Sequence, residues 1–228
     1  MEKKIKVSGM RKIIAERMSE SWSVSPRVAF TLSVDMTHTL ALLKKLNKDN
    51  EDNEDKSRKV TLNHILMKVC AKAITEYELF NSSFQDNEII IHDQVNIGLA
   101  VALEEGLMVP NIKDVANKDI YTIAKETNDS VFRTKKNQIT MDDITGGTFT
   151  ITNLGMMGIE SFSPIINQPE AAILGVTKMK DTPVVIDGEI TVRPMMNLNL
   201  VADHRMIDGA YAAKFFSYVK ELMETMEI

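Results

Sequence analysis

One histidine stands four residues ahead of an Asp-Gly pair in the run Ala202-Asp203-His204-Arg205-Met206-Ile207-Asp208-Gly209-Ala210. Imidazole ordinarily titrates at about pH 6.5, so a histidine held in a cavity can take up a proton and return it near neutrality. Upstream, Met195, Leu198 and Leu200 mark a strand, and downstream Ala212, Ala213, Phe216, Val219 and Met223 recur at helical spacing. His204 is therefore expected where a strand leaves the core for a helix, with Asp208 and Gly209 in the turn. A second stretch, Gly146-Gly147-Thr148-Phe149-Thr150-Ile151-Thr152-Asn153-Leu154-Gly155, ends a strand-like run in hydroxyl and amide groups beside glycine. Such an end can offer hydrogen-bond donors to an oxyanion, and Thr152 is the candidate donor. Both stretches also have a plainer reading. His204 and Asp208 can be a hydrogen-bonded structural pair, and Thr152 and Asn153 can be satisfying the backbone of a turn.

The elements that must position these groups alternate along the chain. Ser8 is placed to cap a helix whose apolar positions Met10, Ile13, Ile14, Met18 and Trp22 form one stripe. After Pro26, Val28, Phe30, Leu32 and Val34 alternate with Arg27, Thr31, Ser33 and Asp35, the pattern of a half-buried strand. Leu40, Leu43 and Leu46 predict a second helix, and 49–59 is a charged surface loop. A helix capped by Thr61 follows, with Cys70 on its apolar face among Leu62, Ile65, Leu66, Val69 and Ile74. Strands are expected near Glu88–His92, Val95–Leu103 and Leu107–Ile112, then a helix over Asp119–Lys136. Asp187-Gly188, between Val184-Val185-Ile186 and Ile190-Thr191-Val192, is a hairpin signal. The chain thus reads as a mixed α/β domain, and its antiparallel hairpins exclude a purely doubly wound sheet.

Composition bounds the function classes. The 228 residues suffice for one substantial core, and the charge is −5, from 27 basic and 32 acidic side chains. No basic stripe with interleaved aromatics is present, which argues against nucleic acid as a partner. No signal-peptide pattern or long apolar span appears, so a soluble, cytoplasmic protein away from the membrane is expected, or a mitochondrial matrix protein in a eukaryote. A single cysteine, Cys70, cannot form a disulfide within the chain, which suits a reducing compartment.

Taken together, the segments resemble the catalytic (inner-core) domain of the dihydrolipoyl acyltransferases, the core components of the 2-oxo acid dehydrogenase complexes. The resemblance begins at Gly9-Met10-Arg11-Lys12-Ile13-Ile14-Ala15-Glu16-Arg17-Met18. It runs through Asn96-Ile97-Gly98-Leu99-Ala100-Val101, Gly106-Leu107-Met108-Val109-Pro110, Gly147 to Gly155, Ser163-Pro164-Ile165-Ile166-Asn167 and Ala172-Ile173-Leu174-Gly175. The His-x-x-x-Asp-Gly element is shared with chloramphenicol acetyltransferase, and nearly the whole of 1–228 is covered as one acyltransferase catalytic domain.

The resemblance implies an α/β (α+β) sandwich of the chloramphenicol acetyltransferase type, a mixed sheet covered by helices, assembled as a trimer. It implies an enzyme that moves an acyl group between a dihydrolipoyl group and coenzyme A, with no metal. His204 would be the base for the attacking thiol, which is mostly protonated at neutral pH. Thr152, where many relatives carry serine, would donate to the oxyanion. For Asp208, two roles stand, direct action on His204 or holding the turn, with the family favouring the second. Lys44 lies near where several relatives carry arginine.

The site would be a channel between neighbouring subunits, with His204 from one chain and Thr152 from the next. Trimers would build a hollow cubic or dodecahedral core. The lipoyl arm would come from a separate lipoyl domain, and decarboxylase and dihydrolipoyl dehydrogenase components would bind through modules upstream of 1–228. Neither a lipoyl nor a subunit-binding domain is found within the chain, which suggests a trimmed chain or upstream modules.

For the acyl group, Thr152 points to succinyl and Gly155-Met156-Met157-Gly158-Ile159-Glu160-Ser161-Phe162 to acetyl, as in pyruvate or acetoin complexes. Acetyl is favoured; Glu160 would also repel a succinyl carboxylate if it lined the pocket, and a surface position is its other reading. Branched-chain acyl transfer, a free-standing chloramphenicol-type acetyltransferase and a catalytically inactive scaffold are the rivals.

Overall fold

The computed structural model describes residues 2–51, 55–103 and 106–228. Along them run α1 (Met10–Val24), β1 (Arg27–Asp35), α2 (Thr37–Asp49), α3 (Leu62–Glu76), β2 (Ser82–Gln85), β3 (Glu88–Ile91), β4 (Ile97–Leu99) and β5 (Val101–Leu103). Then come β6 (Gly106–Met108), β7 (Asn111–Ile112), α4 (Ile120–Lys135), α5 (Met141–Ile144), β8 (Phe149–Asn153), β9 (Ala172–Ile186), β10 (Glu189–Asp203) and α6 (Gly209–Thr225). Six strands form one sheet in the order β1-β10-β9-β8-β4-β7, and β2-β3 and β5-β6 are separate ribbons. β8 lies parallel to β4 and β9, while the other pairs of the large sheet are antiparallel, so the sheet is mixed as expected.

Register decides which side chains share a face, because successive residues of a strand point to opposite sides. Phe30 pairs with Leu200, Leu200 with Leu174, and Leu174 with Ile151, so one face is an apolar row across four strands. That face joins α3 and α6 in a single hydrophobic cluster, where Phe80, Phe149 and Phe215 are fully buried and the Phe80 and Phe215 rings stack with centroids 3.7 Å apart. The opposite face carries Thr31 and Ser33 on β1, Asn197 and Asn199 on β10, and Thr150 and Thr152 on β8. The connection from β8 to β9 crosses this polar face. Ile166 packs there with Ile173 and Val201, and its carbonyl accepts the Ser21 hydroxyl at 2.7 Å.

Local signals hold where the physics is local. Asp187 (φ 51°) and Gly188 (φ 86°) turn β9 into β10, the left-handed pair that a two-residue hairpin needs to match the strand twist. Asp119 caps α4 by accepting the Tyr121 and Thr122 amides. Thr61 and His64 close a capping box on α3, with His64 Nδ1 accepting the Thr61 amide at 3.0 Å. Burial of that ring lowers its pKa to about 4, and burial of Cys70 raises the thiol to about 12.

Three expectations are corrected. The cap of α1 is Gly9 rather than Ser8, with no side-chain hydrogen bond. The apolar stripe of α1 is wider than the surface beneath it: Met10, Ile14 and Met18 are half-buried, whereas Ile13 and Trp22 are 57% and 66% exposed. The runs 95–103 and 107–112 each split between two sheets. Pro110 has no amide to carry a ladder onward, and Ala100 turns its amide to the Ile151 carbonyl. Of the charged stretch 49–59, residues 52–54 lie outside the described residues, and Ser57 and Lys59 are tied to α4 through the Asn128 amide.

Candidate active site

His204 follows the last residue of β10, and its backbone keeps the register of the sheet, its amide donating to the Pro26 carbonyl at 2.7 Å. The side chain is exposed. The residue before it, Asp203, is wholly buried and is gripped by Arg205, whose guanidinium donates to both carboxylate oxygens at 2.7–3.1 Å. Two such forked, charge-assisted bonds fix orientation as well as charge. Arg205 also lies over the Phe84 ring at 4.5 Å, and its own amide donates to Asp203 Oδ1 at 3.0 Å. Asp203 and Arg205 thus fix the backbone on either side of His204, a contact that the burial of Asp203 reveals.

Asp208 caps α6 by accepting the Tyr211 amide at 2.8 Å, and no hydrogen bond joins it to His204 among the described residues. Of its two readings, holding the turn is the one with a partner.

Thr152 is the penultimate residue of β8, half-buried on the polar face, and its hydroxyl makes no hydrogen bond among the described residues. Asn153 points the other way. Its amide donates to Asn63 Oδ1 of α3 at 2.8 Å, and its Oδ1 accepts the Gly155 amide at 2.9 Å. The turn at the end of β8 is held by Asn153 and by the Leu154 amide, which donates to the Val176 carbonyl at 3.0 Å, and the Thr152 hydroxyl takes no part in it.

One chain does not bring Thr152 and His204 together. Thr152 pairs with Gly175, and Gly175 with Asn199, five residues before His204. Strand spacing and rise put them about 10 Å apart across the sheet and roughly 17 Å along it.

Other named residues fall outside this geometry. Glu160 is exposed and paired with Lys180 at 2.8 Å, which holds its carboxyl below the usual range and leaves no unpaired charge to repel a carboxylate. Lys44 is exposed on α2 and joins no ion pair among the described residues. Among the described residues no group of three His, Cys, Asp or Glu could hold a metal ion, and no helix is long and apolar enough to cross a membrane.

Glu170, which nothing in the sequence marked, is 2% exposed on the polar side. It accepts hydrogen bonds from Asn167 at 2.8 Å and from Thr150, while Oε2 has no partner. Burial raises its pKa to about 8.

The fold is that of chloramphenicol acetyltransferase, which superposes with a TM-score of 0.56 at 14% identity over 98% of this chain and 100% of that one, a likeness of fold alone. The family model of the 2-oxoacid dehydrogenases acyltransferase (catalytic domain) matches residues 1–228, and the chain belongs to that family. The dihydrolipoyllysine-residue acetyltransferase component of the acetoin cleaving system of Bacillus subtilis (strain 168) is 37% identical over 220 residues, 96% of this chain and 55% of that protein. Two solved structures each superpose with a TM-score of 0.93 at 32% identity over 99% of this chain and 93% of theirs. One is the Azotobacter vinelandii dihydrolipoamide acetyltransferase, in a study of the role of a serine, a histidine and an asparagine in its catalytic mechanism, and the other is the cubic core of a pyruvate dehydrogenase multienzyme complex. The chain spans about half the length of the curated relatives it matches.

Proposed function

We propose that this chain transfers an acyl group, acetyl first of all, between a dihydrolipoyl group and coenzyme A, with His204 as base and Thr152 as oxyanion donor. One observation carries the reading: an exposed imidazole and an unengaged hydroxyl each stand on a braced strand end. The interval between them equals that between the serine and histidine studied in the Azotobacter enzyme. The step from His204 to Asp208 likewise equals that from its histidine to its asparagine. Both acetyltransferase relatives support acetyl as the group carried.

The chemistry balances without a metal. An imidazole nitrogen of His204 removes the proton from the attacking thiol, and the sulfur adds to the thioester carbonyl carbon. The carbonyl oxygen, now negative, accepts the Thr152 hydroxyl, an interaction worth roughly 3 kcal/mol for a well-placed donor. The carbon–sulfur bond to the departing thiol breaks, and that sulfur receives the proton from the imidazolium. Arg205 and Asp203 hold His204 in place during both transfers, and Asp208 anchors the helix behind it.

Because one chain keeps the two groups apart, the working site forms between copies, His204 from one and Thr152 from the next, within a trimer that builds a larger core. Likeness to a cubic multienzyme core supports that assembly. The lipoyl arm then arrives from a separate domain.

The test mixes two disabled chains. His204→Ala and Thr152→Val should each lose activity with acetyl-coenzyme A and dihydrolipoamide, the first by roughly 10²- to 10⁴-fold. Reassembled together from dissociated subunits, they should recover about a quarter of wild-type turnover, since random mixing in a closed ring rebuilds an intact pair at one interface in four. No recovery from an equimolar, properly assembled mixture would overturn the shared site. An unchanged rate in His204→Ala would overturn the base.

A further inference from the structure

β8 is held by a strand on each side only as far as Ile151. Its pairing with β4 ends where Leu99 stands opposite Ile151, and the Ala100 amide, turned to the Ile151 carbonyl, closes that side. Thr152 and Asn153 run on with β9 alone, opposite Gly175 and Val176. The candidate oxyanion donor thus stands on a strand end with one neighbouring strand, where local opening costs least. The missing side is supplied by a helix from 90 residues upstream: Asn153 donates its amide to Asn63 Oδ1 at 2.8 Å, and Asn63 lies in the first turn of α3. The orientation of both amides is forced. Gly155 presents a backbone N–H that Asn153 can meet only with its oxygen, at 2.9 Å, so Asn153 Nδ2 faces α3 and Asn63 must offer an oxygen to it. Asn63 is itself fixed, because Thr61 and His64 close the capping box around it and His64, Ile65, Leu66 and Met67 are buried.

Placement decides what an oxyanion donor is worth. Its hydrogen bond speeds the reaction only if the donor lies about 2.7–3.1 Å from where the negative charge develops, and a displacement of about 1 Å can cost as much as a hundredfold. Asn153 cannot make that bond, since alternation turns it to the helix side, but it sets where the residue before it sits. Resting on the acyl-transfer reading above, we propose that Asn63 is a positioning residue for acyl transfer, acting through Asn153 to hold the Thr152 hydroxyl at the developing oxyanion. The Asn63–Asn153 bond pins the strand end to α3, and the bond from the Gly155 amide to Asn153 closes the turn beyond it. Thr152, one residue back, is left facing the polar side. Asn63 acts from the helix side of the sheet, and Thr152 alone meets the substrate.

The experiment is a double-mutant cycle on the assembled protein, with kcat and KM measured for acetyl-coenzyme A and dihydrolipoamide. Asn63→Ala, Asn63→Leu and Asn63→Asp are each made in the wild-type chain and in Thr152→Val. Alanine and leucine remove the acceptor, and in the wild-type chain each should lower kcat by roughly ten- to a hundredfold with KM little changed, the mark of an interaction made only in the transition state. Asn63→Asp keeps an oxygen for the Asn153 amide and should stay within about threefold of wild type. In Thr152→Val no hydroxyl is left to position, so the same alanine and leucine changes should alter kcat by less than about twofold. Asn63→Leu keeps the bulk of the side chain, so it supplies the comparison if the alanine variant does not assemble. A wild-type kcat in an assembled variant lacking the acceptor would overturn the inference, and so would a loss of the same size in both backgrounds, which is what a merely structural role gives. A wild type that transfers no acetyl group, or a Thr152→Val protein with wild-type turnover, would overturn the acyl-transfer reading instead.

Discussion

The two faces of the six-stranded sheet come from the same strands and do opposite work. On the helix side, Phe30, Leu200, Leu174 and Ile151 run across four strands under α6, and the aromatic cluster of Phe80, Phe149 and Phe215 excludes water. On the other side, one residue away along each strand, stand Thr31, Asn199, Gly175 and Thr152, with Phe162 of the β8–β9 connection lying over Gly175. A single pleat thus separates the packed side from the proposed site, because alternation sends Asn153 to grip α3 while Thr152 faces the polar side. The difference teaches that the site is rigid without being buried. Its backbone belongs to the central sheet, while the Thr152 side chain is half-buried and that of His204 is exposed.

The division can be broken first where the effect is largest. Phe215→Ala empties the centre of the helix side and should cost about 3–5 kcal/mol in denaturant unfolding. A loss under about 1 kcal/mol would show that this face is not where stability resides. Thr152→Val removes the open-face hydroxyl at nearly constant shape. Turnover should fall roughly a hundredfold, with the unfolding midpoint unchanged. A lowered midpoint with normal turnover would reverse the assignment.

The smallest effect sharpens the comparison through Glu170, a carboxyl buried beneath the open-face cover. Its pKa of about 8 in the fold exceeds the ordinary 4.5, so the folded protein keeps a proton that the unfolded chain has already released. Stability therefore declines as pH rises from about 4.5 to about 8 and is level beyond that window. Glu170→Gln cannot ionise, so its melting temperature should exceed that of wild type at pH 8.5, and the gap should narrow toward pH 5. A gap independent of pH would mean that Glu170 is already ionised in the fold.

Much of this was legible in advance. The alternation of β1, the Asp-Gly hairpin, the cap of α3 and the strand-to-helix turn after His204 are legible in short windows, and so are Thr152 and His204 as candidates for the proposed site. The exposed side of α1 was not legible, since periodicity shows that an apolar stripe exists but not how much surface lies beneath it. Nor was the Arg205 grip on Asp203, because a charged pair two residues apart reads as solvated until one partner is found buried.

What the sequence determined by itself was local. Strand period, helix caps and turn chirality depend on atoms a few residues apart, and residue type set them at Thr61 and at Asp187-Gly188, though not at Ser8. What only the tertiary structure decided was which distant residues share a face and which do not. Phe162 over Gly175, the burial of Glu170 and the distance from Thr152 to His204 all follow from strand order and register. These were settled by fitting one sheet against its helices, where shifting a strand by a single residue would turn every side chain to the wrong side.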